Sequence, residues 1–356
     1  MPRKLPDLVL LAVFTLIISA PLFSPLPSPT LVWNQEFASQ PGFSVARLAK
    51  TLVDFPASYS SYFDDHYMLH QQQVDVLNLV RFHLLHETTF PNVLIGKQDW
   101  LYYTGENNIT DFECVIPFTS KELRTVRSRL LDWNEQLEER GIRFYIVIAP
   151  NKETIYPQYL PDRIKPGVNA CRIDQVMKDL QTTQLSVLDL RAAMQTAALN
   201  SQVYYRTDTH WNAAGALLAS REILALLKED FPQLTLPSIN DYQEEIQPFS
   251  GDLADFLPAD GRFVEQAVSL VPILQPRALL EEGADRSIVS SIPGSALPRV
   301  LIFRDSFTDA LIPFLSEHFS RVVYGFSFIV DLDLVDREKP DIVIFELAQR
   351  YLTVLR

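Results

Sequence analysis

Five continuous apolar runs punctuate the second half of the chain: Arg143 to Pro150, Ser186 to Leu190, Arg299 to Phe303, Arg321 to Phe326 and Asp341 to Phe345. Runs this short, with no polar face, suit strands buried on both sides. Helical periodicity lies between most of them, from Ser120 to Arg140 with Gly141 as the stop, from Asn212 to Lys228, and from Phe307 to His318. Strands alternating with helices predict an α/β fold, a parallel sheet covered by helices on both faces. Two shorter runs, Val93 to Ile95 and Trp100 to Tyr103, flank a turn and predict a β-hairpin. Residues 45–90 follow a helical pattern. Residues 232–298, rich in Pro, Asp and Ser, fit neither period and predict long loops over the sheet.

The start of the chain has a different character. Arg3 and Lys4 precede an apolar stretch, Leu8 to Ala20, and no further charge appears until Glu36. Thirteen apolar residues make roughly 20 Å of helix, and extending the count from Leu5 to Phe23 nearly spans the roughly 30 Å hydrocarbon core. Ile18 and Pro21 are poor neighbours for a cleavage site after Ala20. Residues 1–24 are therefore expected to be a membrane anchor in preference to a cleaved signal, with the basic end inside and the rest outside the cytoplasm. Pro21, Pro25, Pro27 and Pro29 make the following segment, residues 25–44, a stiff spacer. The domain reading is then anchor 1–24, spacer 25–44, helical region 45–90 and an α/β domain 91–356.

Composition narrows the chemistry. Lys and Arg number 31 against 44 Asp and Glu, a formal charge of −13 with no basic run, which argues against nucleic acid. No two of the 11 glycines are separated by a single residue, so neither a GxGxxG nor a Walker A loop exists. No cofactor is expected. Outside the cytoplasm Cys114 and Cys171 can form a bridge, worth about 4 kcal/mol by loop entropy, although nothing local in the sequence pairs them. No metal is expected either: His66/His70 and His83/His86 have helical spacing but no HExxH or ligating carboxylate pattern, and read as solvated faces.

Parallel sheets carry their working residues at the carboxyl ends of strands. After Arg299 to Phe303 comes Arg304-Asp305-Ser306-Phe307, which places a serine at a strand-to-helix junction, either as a nucleophile or as part of a plain helix cap. A serine nucleophile needs an imidazole, and the imidazole needs a carboxylate. The block Tyr204 to Asn212 supplies Asp208 and His210; a capping or core-edge histidine is the alternative. His318, the other histidine of this region, is expected at a helix C-terminus as a partner of the dipole. After the first strong strand, Asn151 and Lys152 could donate to an oxyanion or a sugar hydroxyl, or simply form a polar turn.

In order along the chain stand GKQDWLYY, APNKETIYPQYLP, RTDTHWNAAGA, FSGDLADFL and RDSFTDALIPFLSEHFSRVVY. From about Val45 onward the chain resembles the alginate O-acetyltransferase family, SGNH-hydrolase-like proteins of DHHW type that O-acetylate extracellular polysaccharides. The resemblance implies an SGNH-hydrolase-like, flavodoxin-like sheet, with Ser306 as nucleophile, His210 as general base and acid, and Asp208 as its orienting carboxylate. It also implies a polysaccharide acceptor and an acetyl donor delivered across the membrane by a multispanning O-acyltransferase partner. Asn151, Lys152, Tyr205, Arg206 and Arg304 are the candidate substrate-binding residues, three of them basic enough to offset the acidic surface for an anionic glycan. Arg304 stands where an SGNH serine block commonly has Gly, which leaves the oxyanion hole undefined. The Asp-x-His block precedes the serine, a trait of this family and the reverse of ordinary SGNH esterases. The same triad would serve an esterase, and an inert serine would make the chain a glycan-binding scaffold of a secretion complex.

Overall fold

A computed structural model of the chain describes residues 87–257, 261–283 and 287–356, with Ala12 and Thr15 near the start. The anchor, the spacer, the four clustered histidines and the helical region up to residue 86 lie outside the described residues. Among the described residues no helix is long and apolar enough to cross a membrane. Residues Thr88–Arg356 form one compact unit.

This unit begins with a small antiparallel sheet of β1 (Thr89–Phe90), β2 (Val93–Ile95) and β3 (Leu101–Tyr103). Its β2–β3 pair, with Val93 opposite Tyr103, is the hairpin expected from the pattern. The helical expectation to Phe90 is corrected at its end. Pro91 disfavours helix in the residue before it, and Asn92 turns the chain at φ 63°, so Thr89 and Phe90 pair back onto β2.

In chain order the remaining elements are helix α1 (Ser120–Glu138), strand β4 (Arg143–Ala149), α2 (Arg172–Leu180), β5 (Ser186–Asp189), α3 (Arg191–Ala198) and α4 (Ala213–Leu227). Strands β6 (Tyr242–Phe249), β7 (Glu265–Pro272), β8 (Leu279–Glu282), β9 (Ile288–Ser291), β10 (Arg299–Arg304) and β11 (Arg321–Phe326) follow, then α5 (Leu332–Glu338) and β12 (Ile342–Ala348). The main sheet runs β5-β4-β12-β10-β11-β9-β8. The five strands from β5 to β11 are parallel, as the apolar runs predict, while β9 and β8 are antiparallel additions, so the sheet is mixed.

Alternation along β4 shows why these runs read as continuously apolar. Tyr145, Val147 and Ala149 enter one core, and Phe144, Ile146 and Ile148 enter the other. Val300 and Ile302 divide from Leu301 and Phe303 in the same way on β10. Ala216, Leu217, Ile223 and Leu224 of α4 cover the first face; Val126 and Leu130 of α1 with Ile173 and Val176 of α2 cover the second. Helix α1 starts at a capping box, Thr119 Oγ1 accepting from Glu122 N at 3.2 Å and Glu122 Oε2 from Thr119 N at 2.8 Å. Gly141 at φ 72° follows its end.

Two further expectations differ from the structure. Residues 232–298 are not all loop: β6 and β7 form a ribbon in register from Tyr242–Pro272 to Phe249–Glu265, and β8–β9 extends the main sheet. Strand β6 buries no face, so no alternation marks it. The helix expected from Phe307 to His318 is instead a 3-10 segment at Ser306–Leu311, one α turn at Ile312–Leu315, and a second 3-10 turn at Ser316–His318. Pro313, which has no N–H, interrupts the ladder. His318 is thus not at the end of a long helix; its Nδ1 meets Thr235 Oγ1 at 3.0 Å, and burial lowers its pKa.

Read from β10, the parallel strands fall in the order β11-β10-β12-β4-β5, the 2-1-3-4-5 order of flavodoxin-like sheets, with the fourth and fifth strands supplied from earlier in the chain. This permutation puts the Asp208–His210 block, which follows β5, before the serine that follows β10. Cys114 and Cys171 are joined by a disulfide, Cα–Cα 4.5 Å, tying the segment before α1 to the start of α2.

Candidate active site

Strand β10 ends against Asp305, whose side chain turns the backbone sharply. Asp305 Oδ1 accepts from Phe307 N at 2.8 Å and Oδ2 from Ala348 N at 2.7 Å, locking the turn to the end of β12. Beneath it, Glu346 Oε2 accepts from Thr308 Oγ1 at 2.8 Å and Asp305 N at 3.3 Å. Burial, reinforced by the Asp305 charge, holds the Glu346 carboxyl well above the usual carboxylate range. The junction expected from the sequence is therefore present, with Asp305 as the cap and Ser306 free to project.

His210 arrives on a tight excursion closed by a bridge between Tyr204 and Trp211. Trp211 Nε1 donates to Phe307 O at 3.1 Å, fastening this excursion to the serine turn. His210 Nε2 lies 2.8 Å from Ser306 Oγ, and Nδ1 lies 2.7 Å from Asp208 Oδ1. With the ring proton on Nδ1 facing the carboxylate, Nε2 presents its lone pair to the serine hydroxyl. Asp208 Oδ1 also accepts from His210 N at 2.8 Å, and Oδ2 from Asp252 N at 3.0 Å. Burial opposes ionisation of Asp208, but these hydrogen bonds and the imidazole prevail and hold its pKa down to about 2.

The peptide around Asp208 is gripped from two sides. Glu265 accepts from Thr207 N at 2.8 Å, Thr207 Oγ1 at 2.7 Å and Arg206 N at 3.0 Å. Lys152 Nζ donates to the carbonyls of Tyr205, Arg206 and Asp208, and burial lowers its pKa to about 8 despite the acidic groups around it. Gly251 packs against Asp208 so closely that a Cβ there would lie 2.4 Å from the Asp208 Cβ.

A cleft of about 340 Å³ opens over Ser306 and His210, lined also by Tyr103, Asp252, Asp255, Phe256, Arg350 and Tyr351. Asp208, His210 and Asp252 bring three ligand-type atoms within 4.8 Å of one another. Both ring nitrogens of His210 are already engaged, so a cation held there would break the line from Asp208 to Ser306.

The expected substrate-binding residues are placed differently. Lys152 is 3% exposed and spends its ammonium on loop carbonyls. Asn151, fully buried, donates to Asn108 Oδ1 and accepts from Arg350 N at 3.2 Å. Arg304 turns inward to Asp309 at 2.6 Å and the Asp305 carbonyl at 3.1 Å. Arg206 reaches the Val264 carbonyl at 2.9 Å, and Tyr205 stacks on Phe249 beside a separate groove that includes Gln202 and Glu244. None of the five lines the cleft over Ser306. Asp252, Arg350 and Tyr351 do, and the sequence reading passed over them. Gln349-Arg350-Tyr351 follows strand β12 directly, the very place where a parallel sheet puts working residues.

A flavodoxin-order sheet with serine, histidine and aspartate in line at its carboxyl edge defines an SGNH-hydrolase-like protein. The chain belongs to the family described as SGNH hydrolase-like domain, acetyltransferase AlgX, which it matches over residues 93–327. It is 27% identical over 238 residues to a probable alginate O-acetylase AlgJ of Pseudomonas syringae pv. tomato, covering 67% of this chain and 58% of that protein. With the Pseudomonas aeruginosa protein of the same name it shares 25% over 230 residues, 64% of this chain and 56% of the relative. The chain thus spans little more than half the length of these relatives. Among solved structures, Bacillus cereus PatB1 superimposes with a TM-score of 0.57 at 15% identity, over 73% of this chain and 96% of that one. A DHHW family protein from Eubacterium siraeum gives 0.53 at 14%, over 75% and 93%. These two show a shared fold.

Proposed function

We propose that the chain is an O-acetyltransferase that carries an acetyl group on Ser306 and passes it to a hydroxyl of a polysaccharide outside the cytoplasm. The observation that carries this reading is the unbroken line Asp208 Oδ1, His210 Nδ1, His210 Nε2, Ser306 Oγ at 2.7 and 2.8 Å. A serine hydroxyl is a weak nucleophile at neutral pH unless a neutral imidazole takes its proton; the carboxylate selects the tautomer and steadies the imidazolium. Ser306 attacks the acetyl carbonyl while its proton passes to His210 Nε2. The leaving group takes that proton, and a sugar hydroxyl then repeats the sequence in reverse.

The relatives named as alginate O-acetylases support an acetyl group as cargo and a polyuronate as acceptor. In this reading residues 1–24 anchor the protein, residues 25–44 hold it off the bilayer, and a multispanning membrane O-acyltransferase supplies the acetyl group. The test is mass spectrometry of the protein after incubation with an aryl acetate ester. An acetyl adduct on the Ser306 peptide is the expected result. No adduct, or the same adduct pattern in Ser306→Ala, overturns the reading.

A further inference from the structure

Attack on an acetyl carbonyl moves an electron pair onto its oxygen, and the Asp208–His210–Ser306 line offers that oxygen no donor. Arg304, the cation nearest the serine in sequence, is taken up by Asp309 and a backbone carbonyl. Arg350 is differently placed. It lines the cleft with Ser306 and is only 6% exposed. Its guanidinium carbon lies 5.0 Å, 5.1 Å and 5.4 Å from the ring centroids of Tyr351, Phe307 and Tyr103. Phe307 is the residue directly after the serine. The backbone of Arg350 is fixed by its N–H bond to Asn151 Oδ1 at 3.2 Å. Its Nε has no hydrogen-bond partner; the charges of Asp305 and Glu153 reach it from a distance, but among the described residues no carboxylate forms a salt bridge with it.

Aromatic faces steady a guanidinium but do not replace a hydrogen-bonding anion, and a buried charge without one is costly. A guanidinium with an unused N–H facing a cleft is suited to an anion that arises during the reaction. Donors fixed in advance in a water-poor cleft stabilise charge that appears only in the transition state, with no reorganisation at the moment of reaction.

We propose that Arg350 is a catalytic residue that donates to the oxyanion formed when Ser306 attacks the acetyl group. The inference rests on Ser306 being the nucleophile. As the Oγ–C bond forms, the serine proton goes to His210 Nε2 and the carbonyl π pair moves onto oxygen beside Arg350. Collapse restores the carbonyl and expels the leaving group, which takes the proton from His210. The carboxylate of an anionic sugar is the other negative partner a guanidinium in this cleft could serve, and a neutral aryl ester, which carries none, separates the two.

The experiment measures turnover of a neutral aryl acetate by the wild type, Ser306→Ala, Arg350→Gln, Arg350→Lys and Arg350→Ala, each with its melting temperature. Arg350→Gln is expected to lose about 10²- to 10³-fold in kcat with little change in KM, the scale of one oxyanion donor. Arg350→Lys should fall between it and the wild type, and millimolar guanidinium should restore part of the activity of Arg350→Ala. A role in packing would not give that rescue. Should Arg350→Gln fail to fold, Arg350→Lys and the rescue decide. Wild-type turnover of the aryl ester in folded Arg350 variants overturns the proposal, including the case where only transfer to an anionic glycan is lost. Wild-type turnover in Ser306→Ala would instead overturn the nucleophile reading itself.

Discussion

Gly251 and Asp208 come from loops far apart in sequence and meet with no room for one added carbon: a Cβ on Gly251 would stand 2.6 Å from Asp208 N as well as 2.4 Å from its Cβ. Gly251 N donates to Thr207 Oγ1 at 3.0 Å, and the next residue donates to Asp208 Oδ2 at 3.0 Å. Close approach, with φ outside the left-handed region, is what glycine supplies here. Gly251→Ala is therefore expected to push the carboxylate off His210. Acetyl-ester turnover should fall at least tenfold while the melting temperature moves by only a few degrees, measured side by side on purified protein.

The triad itself gives a sharper expectation. Ser306→Ala and His210→Ala should each reduce turnover on the order of 10⁴-fold, about 5.5 kcal/mol, and the double variant should be scarcely worse because the two act as one unit. A lost helix cap costs about 1 kcal/mol of stability and would not act on rate in this way. Asp208→Asn should retain more activity, since an amide oxygen can still accept from Nδ1. Steady-state kinetics with matched melting curves checks all four.

Glu265 should matter although it touches neither His210 nor Ser306. In Glu265→Gln the amide nitrogen must face donors from Thr207 or Arg206, leaving at least one buried N–H unpaired at a cost of about 1–3 kcal/mol. The expected result is a lower urea midpoint together with reduced kcat at unchanged KM, read from urea unfolding and initial rates.

Acid should loosen the site in a defined window. Asp208 has its pKa depressed to about 2 in the folded chain, against an ordinary value of 3.8. A depressed carboxylate stabilises the fold above its unfolded pKa and loses that contribution as pH falls through the folded value. The contribution, on the order of 2 kcal/mol, is present above about pH 4 and vanishes toward pH 2. Urea midpoints for wild type and Asp208→Asn between pH 5 and 2 should converge as the pH drops.

The bridge between Cys114 and Cys171 should leave no titratable thiol in exported protein denatured without reductant. Its removal by Cys114→Ser with Cys171→Ser is expected to lower stability by about 2–4 kcal/mol. Thiol labelling and urea melts measure each.

The legible parts of this fold were those whose residues answer to one physical demand. Ile146 and Val147 face opposite cores, so β4 is apolar throughout and stands out; Glu244 and Gln247 of β6 face solvent, so nothing in their pattern betrays a strand. Ser306 and His210 stand out in the sequence because a serine nucleophile needs an imidazole to take its proton, a demand on residue type alone. Lys152 and Arg304 point to substrate by charge and by their place near strand ends, and neither says which way a side chain turns. Both go inward, one to peptide carbonyls and one to Asp309. Arg350 stands at an expected place, just past β12, but its significance comes from the rings of Tyr103 and Phe307, remote in the chain, which no local pattern displays.

The permuted strand order has a consequence for the chain as it is made. Strands β4 and β5 are synthesised first, but the neighbour that covers the inner edge of β4 is β12, which also pairs with β10. Until β12 arrives, the backbone of Phe144 to Ala149 offers an unpaired edge flanked by apolar side chains, the kind of template on which chains aggregate. Closure waits for a contact of long sequence separation, which slows folding. A nascent chain therefore carries this apolar edge uncovered for much of its synthesis, and any shielding it receives must act on β4 before β12 is made.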